Sequence, residues 1–482
     1  MRKKVKTMGA AALVLAMIAS VMPTNIGRAY TPGDYSYFDG YTLGWKDGIV
    51  AYKDGARTTL AEAGVTIFDQ KTDRPFQSEN EQEWDADVIE LTQPVKYTTE
   101  DGVAHDVESM LTNFDFIADP TAIDNTEVDG KLYVYGTTEG FSYNNGVMSQ
   151  NGYDNHSLTI LSTSDMVNWT DEGFMDTQNL TNEVSDSDDK VKAGWAVKAW
   201  APSGLAYDGD GDGELEYYLF HTNSGAVGYV MSDSPTGPWR SPLNTALFTQ
   251  GSPGCKDVKW CFDPAVLRDS EGNAYIYFGG GIWDGKNEVA SHPDGIAHPK
   301  TGRVCKLGFN ENGEVYADGD AQEMDTYYLF EDSEINQFNG KYYYSYCVNF
   351  QVPGGDPWVT SGSIGAYVST DPMDIAFDPA GPDGDQYTDG KGIYHHFLGT
   401  ILNNPSVIYG ESYNNHHHMQ SFKGHNYIFY HSTVLNNMLH RINKQYRCLH
   451  VDEIDVDAET DEISIEPSYE GAKQIENFNP FT

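Results

Sequence analysis

The sequence predicts an all-β protein: a five-bladed β-propeller with an N-terminal extension. Three observations carry this. One tyrosine-rich hairpin strand recurs five times, a second short motif precedes each copy, and the composition suits strands and turns, with 48 glycines, 32 tyrosines and 9 tryptophans in 482 residues. Aromatic side chains fit pleated, half-buried surfaces, and glycine supplies the tight turns between them.

The strand signatures are Gly130 to Tyr135, Glu214 to Phe220, Gly272 to Tyr277, Gly340 to Tyr346 and Gly424 to Tyr430. Anchored on Tyr133, Tyr217, Tyr275, Tyr343 and Tyr427, they recur roughly every 60–85 residues, long enough for a four-stranded sheet and unlike the helix pairs of a solenoid. The upstream motifs are Ala118-Asp119-Pro120, Trp200-Ala201-Pro202, Phe262-Asp263-Pro264, Phe330-Glu331-Asp332 and Asn415-His416-His417. The first strand of each propeller blade lines the central channel. Asp119, Ala201, Asp263, Glu331 and His416 are therefore expected to ring one mouth. Chance hairpins in a β-sandwich would give neither the spacing nor the pairing of motifs.

Residues 1–29 read as a secretory signal peptide. Arg2, Lys3, Lys4 and Lys6 precede an apolar stretch from Ala10 to Val21, and Gly27-Arg28-Ala29 offers small residues for cleavage. The stretch is too short to span a bilayer, so a secreted, bacterial extracellular protein is expected. Residues 30–110 form an extension of unclear fold, in which Ala61 to Ala63 could open a short helix, and 111–482 form the propeller. The formal net charge of −42 repels phosphate backbones and anionic lipid, so neither nucleic acid nor membrane is an expected partner. A monomer is expected. Cys255, Cys261, Cys305, Cys347 and Cys448 are too scattered for a disulfide scaffold, although Cys255 and Cys261 could bridge locally.

Carboxyl groups facing one another across a channel suit chemistry that needs a proton donor and a water activator. Glycosidic bonds break this way, and an inverting pair stands about 6.5–9.5 Å apart to admit water, against about 5–5.5 Å for a retaining pair. Carboxyls on separate blades suit the wider spacing. The acid must keep its proton, which burial and a second carboxyl both favour.

These motifs resemble those of family 43 glycoside hydrolases, five-bladed propellers acting on arabinan and xylan. The resemblance runs from Asn113 to about Pro480. It rests on Ile117 to Ile123 with Leu132 to Gly140, on Ser162-Thr-Ser-Asp-Met-Val-Asn-Trp169, on Trp200-Ala-Pro202, and on Ser232-Asp-Ser-Pro-Thr-Gly-Pro-Trp239. It implies that Asp119 is the general base, that Glu331 is the general acid, and that Asp263 orients that acid and helps it keep its proton. It also implies that His416 is the central-channel histidine, which in the family often helps hold a water-coordinated calcium ion. Arg447 resembles an arginine near the sugar site, and Trp200 is placed near the channel to stack on sugar. Asp332-Ser333 follows the acid where the family often has Gly-Pro or Ala-Ser, which makes Glu334 a rival acid.

The function expected is cleavage of terminal or side-chain pentose, arabinofuranose before xylose, from the hemicellulose arabinoxylan or its oligosaccharides, by inversion. No cofactor is required for that chemistry, and the resemblance allows a structural calcium ion in the channel; a transition-metal site at His416, His417 and His418 is disfavoured, because adjacent residues on a strand alternate faces. The alternatives are an endo- or exo-arabinanase on the same fold, a fructan-active propeller, and a non-catalytic sugar-binding propeller. Three weaker signals are read structurally. Asp208-Gly-Asp-Gly-Asp-Gly-Glu214 reads as an acidic hairpin turn before a calcium loop, since Leu219 stands where an EF-hand needs Glu. Ser185 to Asp189 reads as a solvated loop, and Gly279 to Gly281 as a place of close backbone approach.

Overall fold

The computed structural model describes residues 95–475, apart from 100, 113–115, 140–142, 145–146, 149–154, 178–179, 183–190, 193–194, 284–292, 410–413, 436–445 and 466, together with three short strands between 42 and 58. The leader at 1–29, the helix considered at Ala61 to Ala63 and the acidic run at Ser185 to Asp189 lie outside the described residues.

Five antiparallel sheets follow one another along the chain. The first holds β1 (Ile117–Asn125), β2 (Lys131–Thr138), β3 (Ser157–Thr163) and β4 (Trp169–Asp176). The second holds β5 (Trp200–Tyr207), β6 (Glu216–Thr222) and β7 (Val227–Ser232), with Arg240 bridged to Met231 at its outer edge. The third holds β8 (Ala265–Arg268), β9 (Ala274–Gly279) and β10 (Gly302–Phe309), with β11 (Val315–Ala317) and β12 (Gln322–Met324) both paired to β10. The fourth runs β13 (Leu329–Phe338), β14 (Lys341–Val348), β15 (Ile364–Ser369), then β17 (Tyr394–Leu402), with β16 (Gln386–Thr388) on the outer edge. The fifth is β18 (His417–Phe422), β19 (His425–Ser432), β20 (Cys448–Val456) and β21 (Ile463–Ser464). The inner strands β1, β5, β8, β13 and β18 pack each against the next, and β18 against β1, which closes a five-bladed propeller.

Tyrosine fills the space between blades because its ring is a large apolar body with a polar tip. Tyr135, Tyr218 and Tyr277 are fully buried, and each hydroxyl donates to a carbonyl of the following blade: Pro235 at 2.8 Å, Gly313 at 2.7 Å and Pro372 at 2.6 Å. The ring is also stitched shut in sequence. Leu111 N–H donates to the Leu449 carbonyl at 3.0 Å and Val451 N–H to the Ser109 carbonyl at 2.9 Å, so the segment before the first blade pairs with the last. The hairpin Val95–Thr98 and Ala104–Val107 sits beside it, where His105 stacks on Tyr469 at 4.0 Å.

The inner strands share one distortion. Asp119, Ala201, Asp263 and Asp332 all have positive φ, between 43° and 61°, where non-glycine residues are uncommon. At Asp119, Ala201 and Asp332 the register with the second strand slips. A circuit of hydrogen bonds holds these bulges, each N–H taken by a side chain of the preceding blade. Ala201 donates to Thr137 Oγ1 (2.9 Å), Asp263 to Thr222 Oγ1 (2.8 Å), Asp332 to Asp263 Oδ2 (3.1 Å), His417 to Asp332 Oδ2 (3.1 Å) and Asp119 to His431 Nδ1 (3.2 Å).

That circuit corrects the expected ring. Equivalent positions in the circuit are Asp119, Ala201, Asp263, Asp332 and His417, the last without the bulge, whereas Glu331 and His416 are each one residue earlier. Adjacent residues on extended chain face different ways, but the left-handed bulge turns the Asp119 and Asp263 side chains inward. Both positions therefore reach the axis. The cysteines are also corrected: all five are buried and free, including Cys255 and Cys261.

Candidate active site

The axial cluster is organised by one imidazole. His416 Nδ1 lies 3.3 Å from Asp119 Oδ1 and 3.5 Å from Asp332 Oδ1, while Nε2 lies 3.5 Å from Glu331 Oε1 and 3.7 Å from Asp263 Oδ2. The expected residues Asp119, Asp263, Glu331 and His416 thus meet in one place, and Asp332 joins them. Burial works against a charged imidazole here, but Asp119 and Asp332, with Glu331 and Asp263, hold the His416 proton on well above the ordinary imidazole range. Asp119 and Glu331 sit at opposite nitrogens of the ring. Their nearer oxygens lie no more than about 9 Å apart, the bound set by the two contacts and the ring's width.

The surroundings of the two carboxyls are opposite in character. Arg447 Nη1 donates to Asp119 Oδ1 at 2.8 Å, and the Thr137 hydroxyl donates to Oδ2 at 2.8 Å. Burial pushes the Asp119 carboxyl up, but Arg447 and then His416 outweigh it and hold it at about 2. His431 stacks on His416 with ring centres 5.6 Å apart. Its Nδ1 accepts the Asp119 N–H and its Nε2 donates to the Asn414 carbonyl at 3.2 Å, which fixes a neutral tautomer.

Glu331 has no such company. Its Oε1 is buried without a hydrogen bond, and the 3.5 Å approach of His416 Nε2 is an electrostatic contact outside hydrogen-bond geometry. Asp263 contributes a carboxyl whose ligating oxygen lies within 4.8 Å of that of Glu331. Burial drives the Asp263 carboxyl upward; His416 opposes this, and Glu331 and Asp119 reinforce it. Beside the pair rises an aromatic wall. Trp260 meets Phe262 and Phe330 edge-on at 5.4 Å and 5.7 Å, and Phe330 meets Phe350 at 5.6 Å. Phe350 is 37% exposed, large for an aromatic ring beside a buried cluster. Gly281 N–H donates to the Phe330 carbonyl at 2.8 Å, and a Cβ on Gly280 would stand 2.2 Å from that oxygen. The glycine run at 279–281 therefore lets β9 press against the backbone that carries Glu331.

Arg447 is buried and held by two acids, Asp119 and Glu139. Its Nε and Nη2 donate to Glu139 Oε1 at 3.0 Å and 2.6 Å. Burial pushes the Glu139 carboxyl up and Arg447 pulls it down, leaving it at about 7. One guanidinium shared by two buried carboxyls favours Asp119. Trp200 lies next to the Ala201 bulge with Lys198 Nζ 5.3 Å from its ring centre, and its Nε1 is buried without a partner. The rival acid Glu334 lies away from the axis, 2.9 Å from His418 Nδ1. His416 and His417 meet at Asp332, but His418 turns instead to Glu334, so the three consecutive histidines do not face one common set of acids.

Sequence reasoning missed Glu139 and Asp332. Glu139 was visible as a lone acid ending the apolar strand β2. Asp332 carries its own relay: His417 Nδ1 contacts Asp332 Oδ2 at 2.7 Å, and the Ser345 hydroxyl donates to His417 Nε2 at 2.7 Å. The order is that of a Ser-His-Asp triad, but Ser345 is fully buried, so the relay holds Asp332 in place and meets no substrate.

Asp263, Glu331 and His416 offer three ligand atoms within 4.8 Å of one another, a spacing a cation could bridge. Calcium prefers six to eight oxygens, and His416, with carboxylates at both nitrogens, is best served as a doubly protonated ring with no lone pair for a metal. A directly bound ion would also hold Glu331 ionised. The set fits direct calcium ligation poorly.

Comparison with known proteins gives the family. The family model for Glycosyl hydrolases family 43 matches residues 115–349. The crystal structure of a glycoside hydrolase family 43 arabinoxylan arabinofuranohydrolase from Bacillus subtilis, in complex with cellotetraose, is 33% identical, with the match covering 77% of this chain and 70% of that one at a TM-score of 0.62. The chain belongs to glycoside hydrolase family 43. Among characterised relatives, the arabinoxylan arabinofuranohydrolases of Paenibacillus polymyxa and Bacillus subtilis are 37% and 34% identical over 73% and 76% of this chain. This chain spans about half, 51%, of the former and 65% of the latter.

Proposed function

We propose that this protein is an exported enzyme that removes α-L-arabinofuranosyl side chains from arabinoxylan with inversion at the anomeric carbon. The observation that carries the reading is the asymmetric pair across His416: Asp119 among cations, Glu331 among carboxyls and aromatic rings. Similarity to enzymes named arabinoxylan arabinofuranohydrolase supports the substrate, and a separation bounded near 9 Å is compatible with a water between sugar and base.

In this mechanism Asp119, ionised at working pH, takes a proton from water as its oxygen attacks the anomeric carbon. Glu331 gives its proton to the departing xylan oxygen as the glycosidic bond breaks. Asp263 and the His416 imidazolium hold Glu331 toward that oxygen. Solvent then returns one proton to Glu331 and removes the other from Asp119. The xylan chain leaves on the acid's side, where Trp260, Phe262, Phe330 and Phe350 offer apolar faces for sugar rings. No step passes through a metal ion.

The test compares wild type with Glu331→Gln on arabinoxylan, nitrophenyl arabinofuranoside and nitrophenyl xylopyranoside. A nitrophenolate departs without a proton, so the variant should lose roughly 10²–10⁴-fold on arabinoxylan and far less on the nitrophenyl arabinoside. Proton NMR of the first product should show the inverted anomer. Equal losses on both arabinosides, a retained anomer, or preference for the xyloside would overturn the proposal.

A further inference from the structure

We propose that Asp374, Asp389 and His395 form a binding site for one divalent transition-metal ion on the outer edge of the fourth blade, with Lys391 paired to Asp374 when no ion is bound. The three side chains offer ligand atoms within 4.8 Å of one another. Two carboxyls alone would be an ordinary acidic surface. His395 makes the difference: it is 2% exposed, a ring nitrogen lies within 4.8 Å of an oxygen of each acid, and its Nδ1 is buried with no hydrogen-bond partner. Buried polar atoms are rarely left unmet, and an imidazole nitrogen so placed is a ready metal ligand.

The ring is fixed before any ion arrives. His395 lies on β17, paired with Ser369 on one side and Tyr387 on the other. Tyr387 stacks on it at 4.8 Å, and Phe377 meets it edge-on at 5.7 Å. The acids come from chain that can close on it. Asp389 sits in the turn between β16 and β17, where its Oδ1 accepts the N–H groups of Lys391 and Ile393 at 2.8 Å each, and its Oδ2 makes no hydrogen bond among the described residues. Asp374 lies on the loop after β15, its side chain 41% exposed, and Lys391 Nζ stands 3.0 Å from its Oδ2. The Lys391 side chain is 73% exposed, so its ammonium can withdraw into water. Metal–ligand distances of about 2.0–2.2 Å require the carboxyls to draw inward. One nitrogen with two carboxylates favours a zinc- or manganese-type ion over calcium or magnesium.

The experiment measures uptake of manganese(II) by the full chain, stripped with chelator, from the loss of the free-ion electron paramagnetic resonance signal at about pH 7.5, where a free imidazole is mostly unprotonated. Wild type should take up one ion that Asp374→Asn and Asp389→Asn each bind at least about tenfold more weakly. Lys391→Ala should bind more tightly, because the competing ammonium is gone. Glu331→Gln should retain the ion, which separates this site from the axial cluster. Arabinoxylan hydrolysis unchanged in the two aspartate variants would show that they fold. No uptake by wild type, uptake indifferent to both aspartate variants, uptake lost in Glu331→Gln, or weaker binding in Lys391→Ala would overturn the proposal.

Discussion

The two sides of the axial cluster use the same functional group in opposite settings. On one side Asp119 accepts from Arg447 and Thr137 and lies against the His416 imidazolium, so its charge is compensated from several directions. On the other, Glu331 and Asp263 have each other, the edges of aromatic rings, and one shared imidazolium. Carboxyl chemistry does not assign the roles of base and acid; what stands around each carboxyl does. His416 belongs to both halves and keeps them on one axis.

The largest test of this contrast is Asp119→Asn. Activity should fall roughly 10²–10⁴-fold on arabinoxylan and on nitrophenyl arabinofuranoside alike, since water needs activation with either leaving group. A substrate-dependent loss like that of Glu331→Gln would erase the difference between the two sides.

Next comes Arg447→Met, which leaves Asp119 buried without its strongest cation. Breaking such a pair costs about 3–5 kcal/mol of stability, so Arg447→Lys, which keeps the charge but loses the fork, should fall between the variant and wild type. Asp119 is held at about 2 against an ordinary 3.8. Its ionised form therefore contributes stability that is present above 3.8 and lost as pH falls toward 2. In Arg447→Met that loss, and the acid limb of kcat/KM, should both move to higher pH. A limb that stays in place would show that Arg447 does not hold Asp119 ionised.

A smaller effect is expected from Glu139→Gln. Glu139 is raised from 4.5 to about 7, so the folded state binds its proton more tightly, and this group's contribution to stability declines as pH rises between those values. Melting temperature followed across that window should slope less in the variant. The smallest change tests the wall: Phe350→Ala should raise KM for arabinoxylan a few-fold and leave the nitrophenyl arabinoside untouched. Equal effects on both would remove Phe350 from the path of the xylan chain.

The five blades and the four central residues were legible because they are written locally, as turn–strand signatures and as Asp-Pro or His motifs. The slip between Glu331 and Asp332 was not. In the first three blades a proline, Pro120, Pro202 or Pro264, follows the bulge and marks it, whereas Ser333 and His418 stand at that place in the fourth and fifth. Without the marker, two adjacent acids cannot be ordered from the string; the hydrogen bond from Asp332 N–H to Asp263 does it. Glu139 escaped for a different reason. Its meaning lies in Arg447, 308 positions away, and only closure of the ring brings them together.

That separation bears on how the enzyme comes into being. Asp119 emerges with the first blade and Arg447 at the last, so even a polypeptide cut short between Glu331 and Arg447, which carries both proposed reactive acids, lacks the counter-charge that readies one of them. Half-made or clipped molecules would be catalytically silent, and sugar release would report only chains that had been synthesised through the fifth blade and had joined it to the first.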